Sequence, residues 1–143
     1  MLARKVAAAT GPGEASWPGM TKILIVEDES IVAQGMSLIL SEAGHRVVGI
    51  ADDRSSALAK ADRYRPELVL MDIALARNSD GIEVARDLRD RLGVAVVFIS
   101  AHLDARTRER AAALGAAGCL DKPYSPSSLL AAVAAAGPLA TGG

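Results

Sequence analysis

The sequence has few aromatic side chains and a single cysteine. Aromatic residues make up only 3% of the 143 residues, so a folded core must be built from Val, Ile, Leu and Ala. Because Cys119 is alone, neither an internal disulfide nor a cysteine-based zinc site can form within the chain. A lone cysteine is compatible with a reducing compartment, and we expect a cytoplasmic protein.

Strong charge of one sign and long apolar runs are also missing. The formal net charge is -1, which provides no overall field to attract nucleic acid or an anionic membrane surface. No apolar run approaches the ~20 residues that a helix needs to cross a bilayer. We therefore expect no direct nucleic-acid binding and no membrane insertion. Hydrophobic residues still make up 50% of the chain, which is typical of a folded domain.

Glycine and proline mark the two ends of the chain. Residues 1–20 contain Gly11-Pro12-Gly13 and Trp17-Pro18-Gly19 without useful periodicity, so we predict a disordered leader. A docking segment anchored by Trp17 is the alternative. Residues 21–137 have the length and pattern of one domain. Residues 138–143 are rich in glycine, and we predict a flexible tail.

Short apolar runs alternate with segments of helical periodicity through the predicted domain. Gly44, Pro66, Gly93 and Gly115 stand where helices should end. Because several strands are continuous apolar runs, helices should cover both faces of the sheet, which predicts an α/β fold with a doubly wound, five-stranded parallel sheet. The strands are predicted at 22–26, 46–50, 67–71, 94–99 and 118–120, and the helices at 30–43, 55–65, 82–92, 104–114 and 125–136.

Polar side chains follow four of the predicted strands at the point where each strand ends. In doubly wound sheets the functional crevice lies outside the carboxyl ends of the strands, where the strand order reverses. Carboxylates, a hydroxyl and an ammonium should therefore converge at this edge. In chain order, the residues are Glu27, Asp28 and Glu29 after the first strand, Asp72 after the third, Ser100 and Ala101 after the fourth, and Lys122 and Pro123 after the fifth.

Carboxylates brought together in this way require a cation. Two carboxylates ~5 Å apart repel by roughly 3 kcal/mol at an effective dielectric constant of ~20, so three would not be held together for stability alone. All-oxygen ligation suits Mg²⁺, which keeps several waters and binds one or two carboxylates plus a phosphate. The sequence has no cluster of cysteine and histidine of the kind that zinc prefers. The expected cofactor is Mg²⁺.

The strand-end residues lie in five motifs that resemble those of response-regulator receiver domains, including the chemotaxis-type, single-domain members. The resemblance covers about residues 22–136, and the ordered set of motifs is more specific than any one of them. It implies a flavodoxin-like (βα)5 fold with strand order 2-1-3-4-5. The motifs are Ile-Leu-Ile-Val-Glu-Asp-Glu (23–29), Leu-Val-Leu-Met-Asp-Ile (68–73), Asp-Gly-Ile-Glu-Val-Ala (80–85), Val-Val-Phe-Ile-Ser-Ala (96–101) and Leu-Asp-Lys-Pro (120–123).

The resemblance implies a role for each acidic residue. Asp72 is the expected phosphoacceptor, since a carboxylate is a usable nucleophile toward phosphorus and yields an aspartyl phosphate. Glu27, Asp28 and Asp72 are the expected Mg²⁺ ligands. The family also uses the backbone carbonyl two residues after the acceptor, which here belongs to Ala74. Glu29 is expected to act as a helix-start acid that favours the positive end of the helix dipole.

The resemblance also implies roles for the residues after the fourth and fifth strands. Ser100 and Lys122 are expected to bind the phosphoryl oxygens, because phosphoryl transfer requires positioning and charge neutralisation. Ala101, His102 and Pro123 stand beside them at switch or tuning positions. The resemblance allows a cis peptide bond between Lys122 and Pro123.

Two departures from the family pattern concern signal transmission and hydrolysis. Cys119 replaces the Tyr or Phe that the family often has three residues before the lysine, so coupling between hydroxyl and aromatic ring is in doubt. Cys119 is either a redox sensor or an inert small hydrophobe, and we favour the second. Ala74 and His102 occupy positions that tune phosphoryl hydrolysis in the family, and Ala74 has no polar group to help a water.

The function that these features predict is a phosphorylation-controlled signalling switch of a two-component or phosphorelay system. The donor would be a sensor histidine kinase or a histidine phosphotransfer protein. The protein would catalyse only its own phosphorylation and dephosphorylation and would not otherwise be an enzyme. Because no output domain follows the last predicted helix, we expect a stand-alone receiver. It would be a monomer or a weak homodimer.

An unknown downstream protein is expected to bind the face formed by the fourth helix, fifth strand and fifth helix, which reports phosphorylation in the family. Arg106, Arg108 and Arg110 lie on the fourth predicted helix with Glu109. They are either a solvated face of mixed charge, which we favour, or part of this partner surface.

Three other functions fit the sequence less well. A flavin carrier of the same fold needs a phosphate-binding loop after the first strand, where Glu27, Asp28 and Glu29 would repel phosphate. A hydrolase of the haloacid-dehalogenase type needs a second Asp at the position of Ala74. A pseudo-receiver that works by constitutive contact would not need the complete set of charged residues.

Overall fold

Five strands alternate with five helices within residues 20–75 and 79–136, which are the parts of the chain that this computed structural model describes. The strands are β1 (Lys22–Val26), β2 (Arg46–Ala51), β3 (Leu68–Asp72), β4 (Ala95–Ser100) and β5 (Gly118–Asp121). The helices are α1 (Ser30–Glu42), α2 (Arg54–Tyr64), α3 (Gly81–Leu92), α4 (Ala105–Leu114) and α5 (Pro126–Ala136). The predicted leader, apart from Met20, and the predicted tail lie outside the described residues.

The sheet is parallel and doubly wound, as predicted. Its strand order is β2-β1-β3-β4-β5, and each neighbouring pair of strands is parallel. The order reverses between β1 and β3, so the crevice beyond their carboxyl ends is where ligands bind in such sheets. No helix in the described part of the chain is long and apolar enough to cross a membrane.

Two apolar clusters cover the two faces of the sheet. On one face, α1 and α5 pack through residues such as Met36, Leu40 and Leu129 against β1, β3 and β4. On the other face, α2, α3 and α4 pack around Phe98, which is fully buried. Since alternate residues of each strand enter opposite clusters, both faces are covered and the strands can be apolar throughout.

The ends of two strands differ from the prediction in a way that concerns the site. Asp72 and Ser100 are the last residues of β3 and β4, whereas the sequence predicted that these strands end one residue earlier. The reason is backbone pairing: Asp72 pairs with Ile99, and Ser100 pairs with Asp121. Both side chains are therefore carried by the sheet and not by a loop, which restricts their positions.

The helix ends follow the sequence signals, although α2 ends one residue earlier than predicted. Asp53, Asp80 and Asp104 accept backbone N–H groups at the starts of α2, α3 and α4. At the end of α2, Arg65 adopts the left-handed conformation with φ of 50°, and Pro66 follows it. A helix was predicted to include residue 65, but α2 ends at Tyr64 because a residue before proline is disfavoured in the helical region.

His45 fixes the amino-terminal edge of the sheet. Its Nδ1 accepts a hydrogen bond from the backbone N–H of Thr21 at 3.1 Å, just before β1 begins. Burial lowers the pKa of His45 from its ordinary value of 6.5. The folded state therefore prefers the neutral imidazole, since protonation at Nδ1 would also remove the acceptor.

We predict that His45 makes the stability of the fold depend on pH. Below pH ~6.5 the unfolded chain takes up a proton that the folded chain resists, so the free energy of unfolding should fall as the pH falls toward the lower pKa of the folded state. Urea denaturation at pH 7.5 and at pH 5.5 measures this dependence. His45→Ala should reduce it, whereas His102→Ala, at an exposed position, should keep the parent's dependence. Equal dependence in all three proteins would contradict the prediction.

Candidate functional site

Three carboxylates meet at the carboxyl ends of β1 and β3. Glu27 and Asp28 follow β1, and Asp72 ends β3, which is the neighbouring strand. One carboxylate oxygen of each residue lies within 4.8 Å of the other two. Glu27 and Asp72 are only 1% and 6% exposed, whereas Asp28 is exposed to solvent. The parallel pairing of β1 and β3 is what brings these distant residues together, as the sequence predicted.

Lys122 bridges the two buried carboxylates. Its Nζ lies 2.8 Å from Glu27 Oε1 and 3.0 Å from Asp72 Oδ2. Burial by itself would lower the pKa of Lys122, but the hydrogen bonds to Glu27 and Asp72 outweigh it and raise the pKa. The ammonium therefore stays charged, and it compensates the negative charge of two buried carboxylates.

Three carboxylates and one ammonium leave the cluster with an excess of negative charge. Burial, followed by the hydrogen bond and charge of Glu27, raises the pKa of Asp28, so its charged form is disfavoured in the absence of a further cation. The donors are all carboxylate oxygens, and the exposed position of Asp28 leaves room for waters. This donor set fits Mg²⁺ and lacks the nitrogen or sulfur ligands typical of zinc.

Ala74 lies against the acceptor carboxylate. Its backbone N–H donates to Asp72 Oδ1 at 3.1 Å, and its backbone pairs with Asp80 across the loop between β3 and α3. Its side chain is exposed. The predicted use of its carbonyl as a metal ligand therefore falls on a residue that is already beside the acidic cluster.

Ser100 ends β4 at the same edge of the sheet. Its Oγ accepts the backbone N–H of His102 at 3.0 Å, and its carbonyl accepts the backbone N–H of Lys122 at 3.0 Å. The side chain of Ser100 is buried, while Ala101 and His102 are exposed. These contacts fix the ends of β4 and β5 relative to each other. The peptide bond from Lys122 to Pro123 is cis, as the resemblance allowed.

Cys119 lies one strand away from Phe98 in the sheet. The two residues are paired between β4 and β5, and Cys119 packs against the cluster that contains Phe98. Burial raises the pKa of the Cys119 thiol, which keeps it in its less reactive, protonated form. These surroundings favour the inert small hydrophobe over the redox sensor.

Gly81 allows the loop after β3 to fold back onto the acceptor. Its backbone N–H donates to the carbonyl of Ile73 at 2.8 Å. A Cβ atom on Gly81 would lie 2.1 Å from the carbonyl oxygen of Asp72 and 2.8 Å from Cα of Ile73. The Asp-Gly motif was noted in the sequence, but only the folded chain gives the reason why this position requires glycine.

An apolar groove beside the acidic cluster was not predicted from the sequence. It has a volume of about 530 Å³ and runs between α1 and the segment that follows β5. The sequence indicates only that Val32, Met36 and Ile39 are apolar positions of a helix, and it predicts no role for Tyr124. The groove is lined by Val32, Gly35, Met36, Ile39, Ala101, Lys122, Pro123 and Tyr124.

Comparison with known protein families gives a match over most of this domain. The family model for the response regulator receiver domain matches residues 23–134. These limits include all four strand-end positions of the candidate site and all five strands except Lys22, the first residue of β1.

Individual relatives agree with this match. The chain is 34% identical over 112 residues to the transcriptional regulatory protein PdtaR of Mycobacterium tuberculosis, which covers 78% of this chain and 54% of the relative. It is 36% identical over 118 residues to the phyllosphere-induced regulator PhyR of Methylorubrum extorquens, which covers 81% of this chain and 43% of the relative. The chain thus spans about half the length of these curated relatives.

A solved structure gives the same result for the fold. The N-terminal domain of a response regulator/sensory box/GGDEF 3-domain protein from Carboxydothermus hydrogenoformans superposes with a TM-score of 0.76 and 32% identity. The superposition covers 85% of this chain and 97% of that domain.

We predict that Gly81→Ala destabilises the protein while Gly35→Ala does not. The new Cβ at Gly81 would meet backbone atoms, so the free energy of unfolding should fall by ~1–3 kcal/mol. Gly35 lies inside α1 with no atom within 4 Å of an added Cβ, so alanine there should raise the free energy of unfolding by up to ~1 kcal/mol. Urea denaturation of both variants checks the contrast, and a Gly81→Ala variant as stable as the parent would contradict it.

Proposed function

Because this chain belongs to the family of response regulator receiver domains, we propose that it is a signalling switch that accepts a phosphoryl group on Asp72 from a phosphohistidine donor. The observation that carries this proposal is the contact between Asp72 and Lys122 within a cluster of carboxylates at the switch point of the sheet. Asp72 is held on both oxygens, by Lys122 Nζ and by the N–H of Ala74, so its orientation is fixed before a donor arrives.

The proposed reaction is a direct displacement at phosphorus. A carboxylate oxygen of Asp72 forms a bond to phosphorus while the bond from phosphorus to the donor's imidazole nitrogen breaks. The imidazole leaves with the electron pair of that bond and takes a proton from solvent. Hydrolysis of the resulting aspartyl phosphate by water would return the carboxylate and complete the cycle.

Ser100 and Lys122 would receive the phosphoryl oxygens. The Lys122 ammonium already touches Asp72 Oδ2, so a short movement would carry it to an oxygen of the phosphoryl group. The hydroxyl of Ser100 would donate a hydrogen bond to a second oxygen. Glu27 would hold the ammonium from the other side during this movement, since its Oε1 also contacts Lys122.

Glu27, Asp28 and Asp72 would hold Mg²⁺, with the carbonyl of Ala74 as a further ligand. When bound, the ion would neutralise charge on the transferred phosphoryl group and on the carboxylates. The excess of negative charge at this edge and the raised pKa of Asp28 both support a divalent cation as the cofactor.

The side chains around the acceptor would affect how fast water hydrolyses the aspartyl phosphate. The methyl group of Ala74 cannot orient a water for attack on phosphorus. His102 is exposed beside Ser100, and its imidazole could orient such a water. Ala101 and Pro123 line the groove next to the site, where they would limit the approach of water and of partners.

The groove supports a protein donor in preference to a small molecule as the main phosphoryl source. Asp72 is 6% exposed, and the phosphorus must come within ~3.5 Å of its carboxylate, so a donor has to dock closely. The groove is apolar and shares Lys122 with the acidic cluster. An apolar helix face of a histidine kinase or phosphotransfer protein would fit it while a histidine on the same helix reaches Asp72.

Several parts of the hypothesis concern the whole protein. The stand-alone action, without an output domain, stays a prediction. So does the assembly as a monomer or weak homodimer. We propose a cytoplasmic location, because ATP-dependent phosphorylation of a histidine donor requires it. The proposed output is a change in protein binding, and the protein would catalyse no reaction other than its own phosphorylation and dephosphorylation.

We predict that Asp72→Asn abolishes labelling by acetyl phosphate in the presence of Mg²⁺. The amide is not a nucleophile toward phosphorus, and the substitution keeps the size of the side chain. Intact-mass measurement after incubation should give a gain of one phosphoryl group in the parent and no gain in the variant. Persistent labelling of Asp72→Asn would remove the central claim.

Asp28→Ala tests the assignment of Asp28 as a Mg²⁺ ligand. It leaves the acceptor unchanged and relieves repulsion at an exposed position, so the fold should persist. Labelling should then require a Mg²⁺ concentration at least about tenfold higher, because one ligand is lost. If the dependence on Mg²⁺ matched that of the parent, the assignment of Asp28 as a ligand would be wrong.

We predict that the groove is needed for transfer from a protein donor but not from acetyl phosphate. Ile39→Ser should slow labelling by a phosphorylated histidine phosphotransfer protein about fivefold or more, because an apolar contact is lost at the docking surface. Leu38→Ser, on the same helix but outside the groove, is the control. Both variants should keep the parent's rate with acetyl phosphate. Equal rates of the two variants with the protein donor would contradict the docking surface.

A further inference from the structure

Helix α4 is held to the sheet by little apolar packing. Ala111 is its one buried residue, whereas α3 buries five. Thr107 and Leu114 are half-buried, and the remaining residues of α4 are exposed. A helix with so few buried contacts lies at the low end of local stability, so individual polar contacts can determine where it rests.

Two arginines of α4 form ion pairs with residues of other elements. Arg110 Nη2 lies 2.7 Å from Asp80 Oδ2, and Arg108 Nη2 lies 3.3 Å from Asp121 Oδ2. Arg108 also donates from Nε to the carbonyl of Leu103 at 3.2 Å. The sequence favoured a solvated face of mixed charge for these arginines, and all three are exposed. Arg108 and Arg110 in addition have an acidic partner each.

Asp80 belongs to the loop that follows the acceptor. Its Oδ1 accepts the backbone N–H of Ile82 at 2.9 Å, and its backbone pairs with Ala74 across the loop. Burial would raise the pKa of Asp80, but the hydrogen bonds from Arg110 and Ile82 outweigh it and lower the pKa. The carboxylate therefore stays charged while one oxygen caps α3 and the other binds Arg110. A shift of Ala74, whose backbone N–H binds Asp72, would therefore move Asp80, which is the partner of Arg110.

Asp121 is connected to the other side of the phosphoryl site. It directly precedes Lys122, whose ammonium contacts Asp72 and whose backbone N–H bonds to Ser100. A movement of the Lys122 backbone would therefore also move Asp121, which is the partner of Arg108. The two ion pairs thus connect one helix to both chain segments that approach the acceptor.

We propose that Arg108 and Arg110 couple the phosphoryl site to α4, so that a change at Asp72 repositions the helix through Asp121 and Asp80. This coupling would work without a large side chain at position 119, where Cys119 offers no ring to rotate. It rests on the function proposed above. Exposed ion pairs of this kind change an equilibrium by roughly 1.5- to 5-fold each.

Hydrogen exchange of the backbone amides of residues 105–114 tests the coupling, with Mg²⁺ and beryllofluoride as the phosphoryl mimic. In the parent, beryllofluoride should change exchange both in α4 and in residues 68–75 around the acceptor. In the double variant R108Q/R110Q, the change in α4 should shrink roughly threefold or more, while the change at 68–75 persists. R106Q is the control, because Arg106 lies on the same helix and is in neither pair.

Asp80→Asn provides a second test that does not alter α4. Asparagine can still cap Ile82 through its oxygen but loses the charge that binds Arg110. The change in hydrogen exchange of α4 on addition of beryllofluoride should be the same in Asp80→Asn and in R110Q. If the double variant fails to fold, these single variants replace it in the test.

The outcomes separate this proposal from the proposed function. A full α4 response in R108Q/R110Q would overturn the coupling, and so would an unresponsive α4 in a parent whose acceptor segment responds. If beryllofluoride left residues 68–75 of the parent unchanged, the proposed function would fail and the coupling with it.

Discussion

The contact of Lys122 with Glu27 and Asp72 is the interaction on which the rest of the site depends. The ammonium lies 2.8 Å and 3.0 Å from two carboxylates that are almost fully buried. Without it, the two buried carboxylates would lose the cation that compensates their charge, and removing one partner of a buried ion pair typically costs about 3–5 kcal/mol. Lys122 and Glu27 are 95 residues apart, so this one contact joins the end of the last strand to the end of the first.

The sheet separates the two surfaces that the proposed switch would use. The groove lies beside α1, on the face covered by α1 and α5, whereas α4 packs on the opposite face. Lys122 takes part in both, because its side chain lines the groove and its neighbour Asp121 pairs with Arg108. A phosphoryl group at Asp72 would therefore lie between the groove on one face of the sheet and α4 on the other.

The two faces also differ in how firmly their helices are held. On the face that carries α2, α3 and α4, α3 is anchored by buried residues such as Ile82 and Leu88, whereas α4 has one buried residue. Phe98 fills the centre of that face, and its neighbour on β5 is the small Cys119. A loosely packed helix beside a small side chain is a place where weak polar contacts can have large effects.

The sequence by itself determined the fold class, the strand order through family resemblance, and the set of residues at the acidic edge. It could do so because apolar periodicity places strands and helices, and because parallel strands bring their carboxyl ends to one edge. Predicted strand ends were one residue short at Asp72 and Ser100, since the last backbone pair depends on the neighbouring strand.

Only the tertiary structure decided the contacts between residues that are distant in sequence and carry no local signal. Arg110 pairs with Asp80 across 30 residues, and the groove forms where α1 meets the segment after β5. The need for glycine at position 81 likewise comes from the return of the loop onto Asp72. The sequence pattern of a helix is the same whether a charged or apolar residue on it faces solvent or contacts another element. The packing of the elements determines which of the two occurs.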